Sequence, residues 1–162
     1  MTTLSDRVEC RALLNRQLSP DDAARLAFVD GLFPAIEGLS GVRLASATTD
    51  LPLTRSSSRT GIRLESDPPG RESPRRLLFY AAVRPHYFET LGIPLRSGRD
   101  FTSQDGPGVP RVAIVSESAA RKHWPGKEAI GQRFRFGDQD TSALVTVVGV
   151  VADVRQNVES KD

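Results

Sequence analysis

Apolar and polar positions follow two periods along this chain, and the changes between them mark out its elements. From Ser19 to Leu39 the period is helical: Leu26, Val29, Phe33 and Ile36 recur three or four residues apart and form one apolar stripe. Ser19-Pro20-Asp21-Asp22 leads into it with an amide-capping serine, a proline suited to the first helical position, and two carboxylates for the positive helix end. Pro34 sits inside the pattern, where a missing backbone donor predicts a bend. Gly38 and Gly41 predict the stop. From Val42 to Thr49 apolar and small polar residues alternate, which predicts a half-buried strand ended by Pro52. Residues 54–60 (TRSSSRT) read as a polar loop. Gly61–Ser66 and Leu77–Val83 are two further strands, and the turn-rich DPPGRESP between them predicts a hairpin with a long tip.

The second half continues the alternation of strands and short helices. Pro85–Leu91 predicts a short helix, followed by Gly92, and DGPGVP connects to a strand at Arg111–Val115. Ser116 is placed to cap a helix running to Trp124, with Pro125-Gly126 ending it. Gln132–Phe136 alternates with Phe134 and Phe136 on one face, and the β-branched run Leu144–Val154 suits a central strand. Gly149 within that run predicts a bulge or a close backbone approach. Residues 1–18 carry only a loose pattern (Val8, Leu13, Leu14, Leu18), readable as a frayed helix or as a strand. No repeat of 20 to 50 residues is visible. The class is α+β, with a long amphipathic N-terminal helix, two shorter helices and mixed or antiparallel sheets.

Composition narrows the class without naming a function. In 162 residues, 38% are hydrophobic and 26% charged, which is a globular balance and not that of a disordered tail. The longest apolar stretch, Ala143–Val151, is interrupted by Thr146 and Gly149 and falls far short of the roughly 20 residues of a membrane helix. MTTLSDRVECR contains no apolar signal region, so any targeting information is expected on a part of the chain outside this sequence. The lone Cys10 excludes an intrachain disulfide. A net charge of +2 is too small to argue for a nucleic-acid partner, and the arginines from Arg55 to Arg99 read as a solvated strand face.

Candidate chemistry is sparse. Gly126-Lys127 is followed by Glu128, so it does not match the phosphate loop, whose lysine and hydroxyl serve phosphate and magnesium. Ser116 follows a strand and opens a helix but lacks both glycines of a nucleophile elbow, and His123 lies two helical turns away. It is read as a plain helix cap. His86 and Glu89, spaced i,i+3, are two ligands where zinc takes three or four. No residue among the 20 carboxylates is singled out as a general acid or base. The expectation is therefore no catalytic residues, no cofactor and no metal.

One stretch carries a resemblance. RPHYFETLGIPLRSGRDFTSQD, VAIVSESAARKHWPGKEAIGQRFRF and VTVVGVVADVR follow one another between Arg84 and Arg155. Together they resemble the periplasmic core domain of MacB-type (FtsX-like) ABC transporter permeases, nearest to the duplicated orphan permeases of that group. Upstream, the helix and GVRLASATTDLPL fit the same pattern, so the resemblance spans roughly residues 20–156. It implies a non-enzymatic, extracytoplasmic and soluble domain in two lobes. Residues 1–19 form a poorly defined N-terminal segment. Residues 20–53 belong to an incomplete porter-like lobe, 54–142 form an inserted sabre-like lobe, and 143–162 return to the first. It further implies an ABC ATPase as partner through membrane helices absent from this sequence, a permease dimer partner, and a periplasmic protein or small molecule as substrate. Efflux and mechanotransmission are the activities it brings. A free-standing binding module of the same fold is the alternative. Read locally, Gly92 and Gly98 permit turns, Arg99 and Asp100 pair or hydrogen-bond their loop, and Phe101 anchors it. Tyr87 and Phe88 are core anchors, and Trp124 closes its helix against the sheet and is expected to be largely buried. The resemblance agrees in assigning these motifs no catalysis.

Overall fold

In the computed structural model, the described residues are 7–10 (backbone only), 28, 31–50, 58–68, 74, 76–106, 108–137 and 142–154. Residues 31–37 form the helix α1, which runs through Pro34. The expected start of this helix at Ser19-Pro20 lies outside the described residues. The strands are β1 (Arg7–Cys10), β2 (Ser58–Leu64), β3 (Arg76–Ala81), β4 (Leu95–Gly98), β5 (Arg111–Ser116), β6 (Arg133–Phe136) and β7 (Leu144–Val151). Two short helices, α2 (Tyr87–Thr90) and α3 (Glu117–His123), complete the described elements. The fold is mixed α and β with few helices, as the periodicity requires.

All seven strands join one sheet in the order β4-β7-β5-β1-β3-β2-β6, with β6 also paired to β7. That last pairing closes the sheet. β5 runs parallel along one edge of β7, from Val145 to Val151. The other edge is shared: antiparallel β6 takes Leu144–Thr146, and antiparallel β4 takes Gly149–Val151. Strand β1 is seated between β3 (parallel) and β5 (antiparallel), which settles the N-terminal segment as a strand over Arg7–Cys10. β2 and β3 form the expected antiparallel hairpin, though β2 begins at Ser58, within the stretch read as a loop. The domain division drawn from sequence put Leu144–Val151 with the N-terminal helix, whereas every strand it pairs with comes from residues 95–136.

Inside the closed sheet Ile62, Leu64, Leu78, Ala113, Val115, Phe134, Val145 and Val147 form one buried cluster, joined by Ala119 and Trp124 from α3 and its end. Trp124, expected to be largely buried, is 4% exposed and lies 6.4 Å from the Phe134 ring. A second cluster occupies the outer face of β5 and β7. There Ile114 and Val151 pack with Ala81, Val83, Tyr87, Phe88 and Phe101. Tyr87 and Phe88 meet edge to face at 5.3 Å, so four-residue α2 acts chiefly to seat two aromatic rings.

β7 contributes to both clusters, and its phase shifts between them. Ala113 pairs with Val147 but Ile114 pairs with Gly149, leaving Val148 as an extra residue. This β-bulge changes the inward spacing from Val145, Val147 to Val150. Gly149 was expected to mark a bulge or a close approach, and it does both. A Cβ there would lie 2.5 Å from the Arg99 carbonyl oxygen. Its register partner is Gly98, at φ 76, where a Cβ would run into the Val148 carbonyl oxygen and Ile130.

The strand expected at Val42–Thr49 is corrected to an irregular extended segment with one bridge, Thr48 to Val83. Ala47 and Ala82 carbonyls accept the Arg84 and Thr49 amides at 2.9 Å, and pairing then stops at Pro85, which has no donor. α1 rests lightly on this segment: Glu37 accepts the Ala45 amide at 3.2 Å, and the Arg84 guanidinium sits 4.5 Å over Phe33.

The Gly98–Gly149 contact generates a test. Gly98→Ala adds both a left-handed alanine and a clash with backbone that cannot swing away, so it should cost on the order of 3 kcal/mol. Gly126→Ala, at φ 70 with open space around it, should cost only about 1 kcal/mol. Urea melts of the two variants should differ accordingly; equal losses would show that β4 does not depend on the close approach.

Candidate functional surface

The residues that sequence reasoning weighed for chemistry fall into separate places. Ser116 ends β5 with extended backbone, and its hydroxyl accepts the Ala119 amide at 3.3 Å and contacts the Ser118 hydroxyl at 3.1 Å. It is a helix cap, as read, and is 6% exposed. His123 lies at the far end of α3, buried beside Trp124 with ring centroids 6.0 Å apart. The helix holds the two apart, as expected. Gly126-Lys127 forms the turn after Trp124, whose carbonyl accepts the Lys127 amide at 3.1 Å.

His86 and Glu89 do come together. His86 Nδ1 is 3.5 Å from Glu89 Oε2, with both side chains more than half exposed. His86 occupies the left-handed region at φ 66 and precedes α2 without a side-chain cap bond. Its carbonyl instead accepts the Thr90 amide at 2.9 Å and hydroxyl at 2.7 Å. Among the described residues no group of three or more His, Cys, Asp or Glu is placed to hold a metal ion.

The loop from Arg99 to Gly106 is held by a network of hydrogen bonds. Arg99 donates to both Asp105 oxygens, Nη1 to Oδ2 at 2.7 Å and Nη2 to Oδ1 at 2.8 Å. Asp105 also accepts the Thr102 amide at 2.7 Å and hydroxyl at 3.0 Å. The Arg99 hydrogen bonds, followed by the Thr102 donors, outweigh burial and hold this carboxyl down at about 2. Arg99 Nη1 also donates to the Asp100 backbone carbonyl at 3.1 Å, while the Asp100 carboxylate accepts the Phe101 amide at 2.7 Å, and partial burial pushes that carboxyl above the ordinary range. Phe101 is buried, 6.3 Å from the Phe88 ring, and anchors the loop as expected. A bidentate arginine–carboxylate fork of this kind sets a loop in one geometry.

Sequence reasoning missed two partners. Asp105 carried a local signal, an Asp-Gly turn six residues after Arg99. Asp153, which accepts the Ser118 amide at 2.8 Å, carried none, because 35 residues separate the pair.

The comparisons with known proteins bear on the whole chain. Residues 10–161 match the model of the MacB-like periplasmic core domain. This chain belongs to that family. It is a periplasmic domain of MacB/FtsX-like ABC transporter permeases. The periplasmic region of MacB from Actinobacillus actinomycetemcomitans has a similar fold, with TM-score 0.54 and 21% identity, covering 79% of this chain and 52% of that one. A domain of a putative permease protein from Porphyromonas gingivalis has TM-score 0.54 and 24% identity, covering 80% of this chain and 48% of that one. The 162 residues thus span about half the length of the solved MacB-like structures. No curated protein matches the chain significantly. Among the described residues no helix is long and apolar enough to cross a membrane.

The depressed Asp105 carboxyl predicts a pH window. A folded-state pKa below the ordinary 3.8 contributes stability that is complete above that value and is lost as pH falls toward about 2. Because Arg99 is half exposed and screened, Asp105→Asn should cost only about 1 kcal/mol at pH 7. The gap between parent and variant in denaturant melts should close between pH 4 and pH 2. A gap constant across that window would assign the loss to the amide rather than to the charge.

Proposed function

We propose that this domain is the extracytoplasmic relay of an ABC permease, passing ATP-driven movement of membrane helices to a substrate or partner protein without chemistry of its own. The observation that carries this reading is the family match over residues 10–161, the MacB-like periplasmic core domain. The build of the domain supports it: a closed sheet with two apolar clusters is a stiff body, suited to moving as a unit. Its partners in this reading are an ABC ATPase, reached through the membrane part of the permease, a second permease subunit, and a periplasmic protein or small molecule. It faces the periplasmic side of the inner membrane.

The test uses the full-length permease carrying this domain. It should co-purify with an ABC ATPase, and deleting residues 58–154 should leave membrane insertion and ATPase association while abolishing ATP-dependent transport. A full-length product without membrane helices or an associated ATPase would replace this reading with a free-standing binding module.

We propose further that residues 20–53 belong to a porter-like lobe completed by parts of the periplasmic region outside these 162 residues, the closed sheet being the sabre-like lobe. Residues 26–39 (LAFVDGLFPAIEGL) carry only Asp30 and Glu37 as charges. Large apolar side chains on a helix normally face a core, yet Phe28 is 71%, Leu32 39% and Leu39 60% exposed here. In the 162-residue chain, amides of residues 31–37 should therefore exchange at least about tenfold faster than those of residues 145–151. Equal protection would show that the lobe is already complete.

A further inference from the structure

Past β7 the chain stays attached to the domain through two residues. Ala152 donates its amide to the Pro94 carbonyl at 2.9 Å. Asp153 then turns its carboxylate onto α3, where Oδ1 accepts the Ser118 amide at 2.8 Å and Oδ2 the Arg121 guanidinium at 3.1 Å. The Asp153 side chain is 17% exposed, against 68% for Arg121. Burial alone would raise this carboxyl, but the bonds from Ser118 and Arg121 prevail and it lies below the ordinary range. Next to Ser118, Glu117 faces Arg96 of β4 at 3.4 Å. Three neighbouring positions of α3 are thus tied to the chain leaving β7 and to the edge strand β4.

β7 itself is poorly suited to respond to a pull. It is paired along both edges over Leu144–Val151, so sliding it breaks several ladders at once. Asp153 holds on by two side-chain hydrogen bonds and can move at much smaller cost. We propose that Asp153 is a clasp that makes α3 follow the chain leaving β7. Displacement arriving along the backbone from beyond Val154 meets this carboxylate, passes through Ser118 and Arg121 into α3, and continues through Glu117 and Arg96 to β4. The clasp rests on the relay reading above and specifies where movement enters the domain.

The experiment is hydrogen exchange on the full-length permease with its ATPase in nanodiscs, with and without ATP. In the parent protein ATP should change exchange across residues 118–121 by about threefold or more. Asp153→Ala should abolish that change while ATPase rate and protection of residues 145–151 are retained. Asp153→Asn, which keeps one acceptor oxygen, should retain part of it. Arg121→Gln removes only the outer bond from an exposed side chain, so it tests the clasp even if Asp153→Ala fails to fold; its response should be reduced. An ATP effect elsewhere in the domain but absent from residues 118–121, or variants that respond like the parent, would overturn the clasp and leave the relay standing. No ATP-dependent change anywhere in the domain would overturn both.

Discussion

The fold turns on the approach of two backbones at Gly98 and Gly149. With no side chain at either position, β4 can lie against the C-terminal half of β7 while β6 holds the other half of the same edge. β5 then lines the opposite edge along its full length, and the sheet closes. The extra residue at Val148 is the second part of the same device. It rotates the end of β7 by one position, so that Val145, Val147 and Val150 face the inner cluster and Val151 the outer one. β7 thus contributes to both layers, as β3 and β5 also do.

The polar features take their positions from these layers. Arg99 follows Gly98 directly, and its amide donates to the Val148 carbonyl at 2.9 Å, which fixes where its guanidinium begins. Phe101, pressed into the outer cluster, holds the far side of the loop, and Asp105 joins the two. α3 is held in the same manner, with Ala119 and Trp124 in the inner cluster and Ser116 capping its first turn. In each case apolar burial supplies the energy, and the hydrogen bonds select one geometry from those the burial allows.

Much of this was legible in the sequence wherever the determinant was local. The β-branched run at Leu144, the cap at Ser116, the aromatic pair Tyr87-Phe88 and the glycine at 149 each act through their immediate neighbours, so pattern and propensity found them. The strand Leu95–Gly98 went unread because all four residues are exposed and no alternation marks them. It is a strand only because β7 offers an edge. The segment Val42–Thr49 failed in the opposite way: its alternation is real, but Pro85 leaves its partner one bridge long. Asp153 was invisible since its partner is chosen by tertiary packing. The family resemblance held because its motifs lie in the part of the chain where local determinants are densest.

The seat of β1 has a consequence for how the molecule is made. Val8 pairs with Tyr80 on one side and with Val115 on the other, so β1 waits for β3 and β5, both far along the chain, before it has neighbours. Such distant pairings incur the loop-closure entropy before the contacts that offset it, which places folding in the slow, millisecond-to-second range of β-rich domains. A short strand of mixed polarity, Arg-Val-Glu-Cys, is suited to that wait. A long apolar one in the same place would spend it as an open template for aggregation.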